Sequence, residues 1–427
     1  MGDSESTVLI AGGGIAGLAL GLTLHQIGVP FRVFESSAEM RPLGVGINVQ
    51  PTATRELFDL GLETELEAIG VRTRDYGMYT KTGRHIWTEP RGRHAGYDWP
   101  QYSVHRGRLH MMLYDALVAR AGRDAVQTGW SATGFENRSD SAILHLRSRS
   151  GEAANVDGAV VVGADGIHSA IRSQMDPSEG EPRWGGGVLW RGTTRAQPYL
   201  SGASMVMIGY TGLRFVSYPI SAPDPDSGEA LINWICHLEM PADHVWNKED
   251  YSREATLTDF LPRFESLVFD WIDCPGLIRA GGTVYEYPMV DRDPIDRWTH
   301  GRVTLTGDAA HAAYPVGSNG AGSAIIDARV MGAAFLEHGV GPDALEAFEA
   351  RQRPGASKIV LMNRTAGPDS ILDIVEERCG GEFDHIDDVI PHDEMAAFSA
   401  RYKSAAGFGI AETNAAPPTI PAGARVG

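Results

Sequence analysis

Short, unbroken apolar runs and longer apolar stretches alternate at the start of this chain. Thr7–Ala11 (TVLIA) has strand length, and a strand covered on both faces reads as a continuous apolar run. Glycines follow. The apolar stretch Ile15–Ile27 then has helix length and is stopped by Gly28 and Pro30. Phe31–Glu35 (FRVFE) reads as a second strand, giving a strand–turn–helix–strand unit within about 30 residues. Arg55–Leu66 and Gly107–Arg120 read as helices. Ala142–Leu146 alternates like a strand, and Gly158–Gly163 (GAVVVG) reads as a buried one.

The texture changes between Trp184 and about Ala280. β-rich runs appear at Gly187–Gly192, Phe215–Ile220 and Leu231–His237, with Trp184, Trp190, Tyr210, Phe215, Tyr218, Trp234 and Trp246 among them. This predicts an inserted sheet domain. Arg302–Thr306 (RVTLT) returns to a buried strand, and a helix is expected from Gly320 to Glu337. The first domain is therefore expected to be assembled from separated pieces. The acidic segment Glu376–Glu394 reads as a solvated helix face or loop without a binding role. Ala405–Gly427, rich in Ala, Gly and Pro, reads as a mobile tail.

Composition narrows the partners. Lys and Arg number 37 against 55 Asp and Glu, a formal charge of −18, and so acidic a surface disfavours nucleic acid and anionic lipid. Cys236, Cys274 and Cys379 have no C-x-x-C spacing, which points away from a disulfide framework or a zinc site and toward a cytoplasmic protein without a bound metal. The apolar run Val8–Leu24 does not read as a secretion signal. Asp3 and Glu5 precede it where Lys or Arg is expected, and Gly12, Gly13, Gly14 and Gly17 interrupt it. No other stretch has the length and apolar character of a membrane span.

Three motifs carry chemistry. Gly12-Gly13-Gly14-Ile15-Ala16-Gly17 fits G-x-G-x-x-G between a strand and a helix. Gly12 permits the tight turn, Gly14 lets a diphosphate approach the backbone, and Gly17 lets helix and strand pack closely. Glu35 ends the second strand, where a carboxylate can accept from ribose hydroxyls. The second motif, Gly163–Arg172 (GADGIHSAIR), reads by itself as a strand-to-helix turn with Ser169 as a cap. The third joins Gly307-Asp308-Ala309-Ala310-His311 to Pro315–Ala321 (PVGSNGA). It places Asp308 just past a buried strand, where open α/β sheets contact ligands. His311 reads as a satisfied structural residue, not a general base.

Taken together, in this order and spacing, the three motifs resemble the FAD-dependent aromatic-ring monooxygenases, the single-component flavoprotein hydroxylases of the 4-hydroxybenzoate hydroxylase fold. The likeness runs from about residue 7 to 365. It is strongest to the phenazine-hydroxylating branch, through Arg41–Pro51 (RPLGVGINVQP), Glu89–Gly92 (EPRG), Tyr102–Gly107 (YSVHRG), Trp190–Gly192 (WRG) and Tyr287–Pro294 (YPMVDRDP). Salicylate and 3-hydroxybenzoate hydroxylases are more distantly similar.

The resemblance implies an α/β fold with a Rossmann-like FAD-binding domain from residues 1–73, 102–178 and 282–365. A mostly antiparallel substrate sheet would come from 74–101 and 179–281, a helical segment from 366–404, and the tail from 405–427. It assigns Gly12, Gly14 and Gly17 to the FAD diphosphate, Glu35 to the adenosine ribose and Arg106 to the phosphate and ribityl region. Asp165 would serve the FAD and nicotinamide regions, Asp308 the ribityl hydroxyls, and Gly317, Asn319, Gly320 and Ala321 the isoalloxazine. Ile15, Ala16, Ser36, Gly46, Gly307 and Pro315 complete the implied FAD set.

NADH or NADPH would be a transient co-substrate, and O2 would be activated as a flavin C4a-hydroperoxide that attacks an electron-rich ring. The ring would belong to a small aromatic or N-heteroaromatic molecule, most simply a carboxylic acid. Substrate contacts are expected from the inserted sheet. Arg214 and Tyr218, four apart, share one face of a strand, and Arg214 can pair with a carboxylate. Glu286 departs from the Gln that related hydroxylases tend to carry, and can face the substrate ring or stand as a solvated charge. Two other readings share the first motif: a flavin-dependent reductase or dehydrogenase of the same superfamily, and a non-catalytic dinucleotide sensor. The aromatic-rich insert weighs against the first and the third motif against the second.

The protein is expected to purify yellow, with FAD bound tightly but non-covalently and released by acid precipitation. A colourless protein that FAD does not reconstitute contradicts the three-motif reading.

Overall fold

The computed structural model describes residues 6–241, 243, 253–365, 370–405, 407 and 409–427, so Asp3, Glu5 and Trp246 lie outside the described residues. Two sheets organise the chain. In the first, the strand order is Thr299–His300, Val303–Leu305, Val160–Gly163, Val8–Ala11, Phe31–Glu35 and Val126–Thr128. All pairings are parallel except that of the edge strand Thr299–His300. Val8 sits between Val160 and Phe31, which explains why VLIA, VVVG and VTL read as unbroken apolar runs: these strands are buried on both faces.

Helix Ile15–Ile27 packs against the long helix Gly320–His338, and the approach is close. A Cβ on Gly332 would lie 2.4 Å from Thr23 Cγ2. Between them Arg329, fully buried, pairs with Glu56 at 3.2 Å and also reaches Gln26. The expected helix Arg55–Leu66 is two helices, Pro51–Asp59 and Glu63–Ile69, broken where Gly61 takes a φ of +70°.

The second sheet has seven strands, in the order Tyr285–Asp291, Arg183–Ala196, Ala230–Glu239, Leu213–Pro219, Ser204–Tyr210, Asp75–Tyr79 and His85–Pro90. Only the pair Ser204–Tyr210 and Asp75–Tyr79 is parallel. The boundary expected after residue 281 falls early, because Tyr285–Asp291 is still an edge strand of this sheet. One face packs Trp190, Trp234, Phe215 and Cys236 onto Phe260 and Phe264, with Trp190 and Phe260 stacked at 5.1 Å.

Helices Ser370–Cys379 and His392–Ala405 lie toward the opposite face, through buried Ile371, Leu372, Val375 and Met395, with Ile390 buried in the segment between them. Asp373 accepts from the Thr211 amide (2.6 Å) and hydroxyl, and Glu376 pairs with Lys81. The acidic segment is therefore solvated on its outer side only.

The two sheets meet at a polar knot. Arg172, buried, pairs with Glu179 and donates to the carbonyls of Ala309, Ala310 and Asp293. Arg292 donates to Ile167 O and Glu179, and Arg364 forms a two-point pair with Asp291. The DRDP run thus ties the last strand of the second sheet to both later motifs.

The tail is a correction to the sequence expectation. Helix Ile410–Ala415 and the segment after it dock on the first domain: Arg55 donates to Pro417 O, Thr419 Oγ1 to Glu56 (2.7 Å) and the Val426 amide to Ile27 O (3.0 Å). Ile420 is 3% exposed and reaches the groove at Gly332. Composition misleads here because one well-placed apolar side chain and a few backbone bonds suffice to seat a Pro- and Ala-rich strand. Ile420→Ala is expected to destabilise the fold by about 2 kcal/mol or more, read as a lowered Tm; a mobile tail would leave the Tm unchanged.

Candidate active site

The first motif builds a turn that only glycine permits. Gly12 has a φ of +109°, and a Cβ there would lie 2.3 Å from Ala164 O; at Gly17 it would lie 2.0 Å from Gly12 O. Gly14 differs, since a Cβ on it meets nothing within 4 Å. That open side faces outward at the start of helix Ile15–Ile27, whose first amides have no partner within the helix and can receive a diphosphate. Ile15 packs on the core. Ala16 stands 2.9 Å from the Cβ that Gly307 would carry, so the first and third motifs touch.

Glu35 is fixed at the rim. Its Oε2 accepts from the Gly13 amide at 2.8 Å, and its Oε1 from the Ser37 amide at 2.7 Å and the Ser36 hydroxyl at 3.1 Å. Burial pushes this carboxyl up, but the bonds from Ser37, Gly13 and Ser36 outweigh it and hold it below its usual range. An oriented anion with lone pairs to spare suits a ribose diol. His110 braces the same turn through Gly13 O, 2.7 Å from its Nε2. Neither Gly13 nor His110 was singled out from the sequence; the i+4 spacing of His110 from Arg106 was the available signal.

Arg106 opens helix Arg106–Ala121, its amide donating to Val45 O at 2.8 Å, and its side chain is exposed beside Gly44. Gly46 is held from two sides: its amide donates to Asn233 Oδ1 and its carbonyl accepts from Arg191 Nη2, each at 2.7 Å. Asp165 turns its carboxylate to the start of the helix that follows it. It accepts from the Ser169 hydroxyl and from the Ala170 and Ile171 amides, and burial pushes its pKa up despite those bonds. Its backbone lies against Gly12 and shapes that turn, while Ser169 caps the following helix through the Arg172 amide.

The third motif hangs on Asp327. Its carboxylate accepts from the Gly307 amide (3.0 Å), Thr306 Oγ1 (3.1 Å), His311 Nε2 (2.7 Å) and Gln352 Nε2 (2.8 Å). Burial opposes charge at both His311 and Asp327, but each stabilises the other's ion, raising His311 and lowering Asp327. His311 is thereby a structural group, as expected. Asp308, next to it, is exposed, and its carboxylate has no hydrogen-bond partner among the described residues.

The following loop takes left-handed conformations at Gly317 and Ser318 (φ +71° and +58°) and is pinned by Asn363 Nδ2, which donates to Tyr314 O and Val316 O. Pro315 is exposed, Asn319 is buried, and Gly320 and Ala321 begin the long helix with open space at Gly320. Unpaired amides at that helix start, an unpaired carboxylate and room at the glycines are what a flavin with its ribityl chain requires of a protein.

These groups open into a cavity of about 330 Å³ whose other wall is the inner face of the seven-stranded sheet. Met78, Met205, Met207 and Val216 form its floor, with Ile371 and Met395 from the C-terminal helices across from them. Arg214 and Tyr218 both line it. Arg214 is 8% exposed, donates from Nη2 to Thr211 Oγ1 at 2.8 Å, and is the register partner of His237 on the next strand. Burial, and then the Arg214 charge, push His237 down to about 3, so it is neutral at pH 7. Tyr218 is pushed up to about 12 by burial, with Arg191 partly offsetting it. Arg191 also lines the cavity. It and His237 were missed as site residues, although WRG had marked Arg191.

Glu286 is a correction. Strand alternation turns it to the other face, where it accepts from Trp190 Nε1 at 3.1 Å and Arg253 Nη1 at 3.2 Å, and it does not line the cavity.

A glycine turn shaped to cradle a dinucleotide, together with a cavity that carries cationic side chains in its wall, defines a dinucleotide-dependent oxidoreductase of small molecules. The chain belongs to the FAD binding domain family, which matches residues 5–205 and 287–362. It is 41% identical over 365 residues to a phenazine 1,6-dicarboxylic acid hydroxylase of Lysobacter antibioticus, covering 84% of this chain and 90% of that protein. It is 29% identical to a salicylate hydroxylase of Pseudomonas putida, over 82% of each chain. The fold matches that of Klebsiella pneumoniae HpxO complexed with FAD and uric acid, with a TM-score of 0.73 at 23% identity over 95% of this chain and 97% of that one. Its cofactor is FAD, and it is a flavoprotein monooxygenase of aromatic compounds. No helix among the described residues is long and apolar enough to cross a membrane.

Asp308→Ala is expected to weaken FAD binding through loss of charge-assisted hydrogen bonds, each worth about 1.5–3 kcal/mol, while leaving relative preference among substrates unchanged. FAD dissociation measured in the variant checks this; unchanged FAD affinity removes Asp308 from the cofactor site.

Proposed function

We propose that the protein hydroxylates an aromatic or N-heteroaromatic carboxylic acid, phenazine carboxylic acids foremost, with O2 and NADH or NADPH. The balance is Ar–H + O2 + NAD(P)H + H⁺ → Ar–OH + H2O + NAD(P)⁺. The observation that carries the reading is one cavity that has Asp308 and the Pro315–Ala321 loop on one side and buried Arg214 and His237, with half-buried Arg191, on the other. The 41% identity to a hydroxylase of a phenazine diacid supports the substrate class.

FAD supplies the electron transfer and O2 activation. The chain supplies placement. Gly12, Gly14 and Gly17 would receive the diphosphate, Glu35 the adenosine ribose, Asp308 the ribityl hydroxyls, and the amides of Gly320 and Ala321 the ring. The Met-lined floor and the C-terminal helices exclude water from the reacting ring. Arg214 would hold the substrate carboxylate by two parallel bonds, its Thr211–Asp373 tether fixing the direction of the fork. A reductase needs no such acid-binding fork over the ring site.

Arg214→Lys keeps the charge but loses the fork, so the KM for the acid should rise. Arg214→Ala should cost about 2–5 kcal/mol in kcat/KM and divert consumed O2 to H2O2. Substrate-stimulated NAD(P)H oxidation, O2 uptake and product mass, compared on an acid and its neutral amide, decide this. Equal loss on both, or loss on neither, removes Arg214 from the site, and absence of any hydroxylated product overturns the proposed reaction.

A further inference from the structure

EPRG stands out in the sequence and carries no part of the chemistry described so far. It forms the end of the strand His85–Pro90 and the turn after it, and it lines the cavity far from Arg214. Arg91 Nη2 pairs with Glu89 Oε2 at 3.2 Å, and its guanidinium lies 4.8 Å from the centre of the Tyr76 ring. Its Nε is buried with no hydrogen-bond partner, and so is Oε1 of Gln101, a residue 2% exposed. Gly92, the residue after Arg91, lies against the Gln101 backbone, where a Cβ would come within 2.3 Å of the amide nitrogen, and Arg91 and Gln101 line the same cavity. An unpaired buried donor and an unpaired buried acceptor in the wall of one cavity each cost free energy unless a ligand satisfies them.

The register places this corner relative to Arg214. Glu89 pairs with Tyr76, and Tyr76 with Met205, which lies one position beyond the Val206–Ser217 pair and so beside Tyr218. Glu89 is thus three strands across and four residues along from Arg214, a diagonal of roughly 19 Å between backbones. Two long side chains reaching inward from its ends leave the span of a fused two- or three-ring system. A single benzene ring held at Arg214 falls short. The Met205, Met207, Met78 and Val216 floor between the two ends is apolar, as such a ring system needs.

We propose that Arg91 and Gln101 form a second recognition subsite, which binds a hydrogen-bonding substituent at the far end of a fused polycyclic acid whose carboxylate is held by Arg214. This rests on the aromatic-acid reading above and extends it from ring chemistry to ring size and second substituent. The pair of Arg91 with Glu89 makes the corner close to neutral, so it suits a group that both donates and accepts: a carboxylic acid, an amide or a hydroxyl. Arg214, beside a neutral His237, is the end that favours an anion.

The test uses the FAD-loaded protein and reads binding from the flavin absorbance. Phenazine-1,6-dicarboxylic acid, phenazine-1-carboxylic acid and salicylic acid are compared on wild type, Gln101→Met and Arg91→Met. In both variants the Kd of the diacid should rise about tenfold or more, while the monoacid and salicylate change by less than about twofold. FAD content and Tm should match wild type in Gln101→Met, which leaves the Arg91–Glu89 pair intact and decides the matter where Arg91→Met fails to fold. Equal weakening of all three ligands, or no weakening of the diacid, overturns the subsite and leaves the aromatic-acid reading standing. Failure of wild type to bind any of the three acids overturns both.

Discussion

Asp327 is the group on which the cofactor side of the molecule hangs. It sits buried in the long helix Gly320–His338 and gathers four donors from the strand end, the following turn and a neighbouring helix. Two of them, the Thr306 hydroxyl and the Gly307 amide, belong to the residues just before Asp308. The position of the free Asp308 carboxylate is therefore set by a buried anion it never touches. Removing such an anion strands several buried donors at once, an effect of about 3–5 kcal/mol for a broken buried pair. The same helix carries Gly320 and Ala321 at its start, so one rigid element aligns both the carboxylate and the amides.

The second sheet divides its labour by strand alternation. One face of Arg183–Ala196 and Ala230–Glu239 carries Trp190, Trp234 and Cys236 into an apolar core, and the other carries Arg191, Asn233 and His237 toward the cavity. Asn233 and Arg191 both bind Gly46, a residue of the first domain's side of the cavity. A side chain bonded to backbone across that boundary sets the distance between cofactor loop and substrate wall more firmly than an apolar contact does.

Much of this was legible in the chain itself. The strands Val8–Ala11 and Phe31–Glu35, the helix between them and the sheet character of the insert follow from apolar runs and glycine punctuation. Residues whose role is set by side-chain direction were less legible. Glu286 and Arg191 lie on adjacent strands of one sheet, and only the register, which pairs Glu286 with Trp190, shows that Glu286 points away while Arg191 points in. Asp165 belongs to a shared motif, and what the sequence did not show is that its carboxylate accepts three hydrogen bonds from its own helix start. The docked tail was illegible for a different reason: Ile420 fits a groove opened by Gly332, some 90 residues earlier, and no local pattern encodes that fit.

The floor of the cavity is built from side chains that oxidants can alter. Thioethers at Met78, Met205 and Met207 are soft and adaptable, so they accept flat rings of varied outline. They are also the side chains that reduced oxygen converts to sulfoxides, which are polar and bulkier. A turnover that reduced oxygen without hydroxylating the ring would release oxidant beside them. Loose substrates would then do lasting damage, wearing the surface that selects them, and tight coupling doubles as self-preservation.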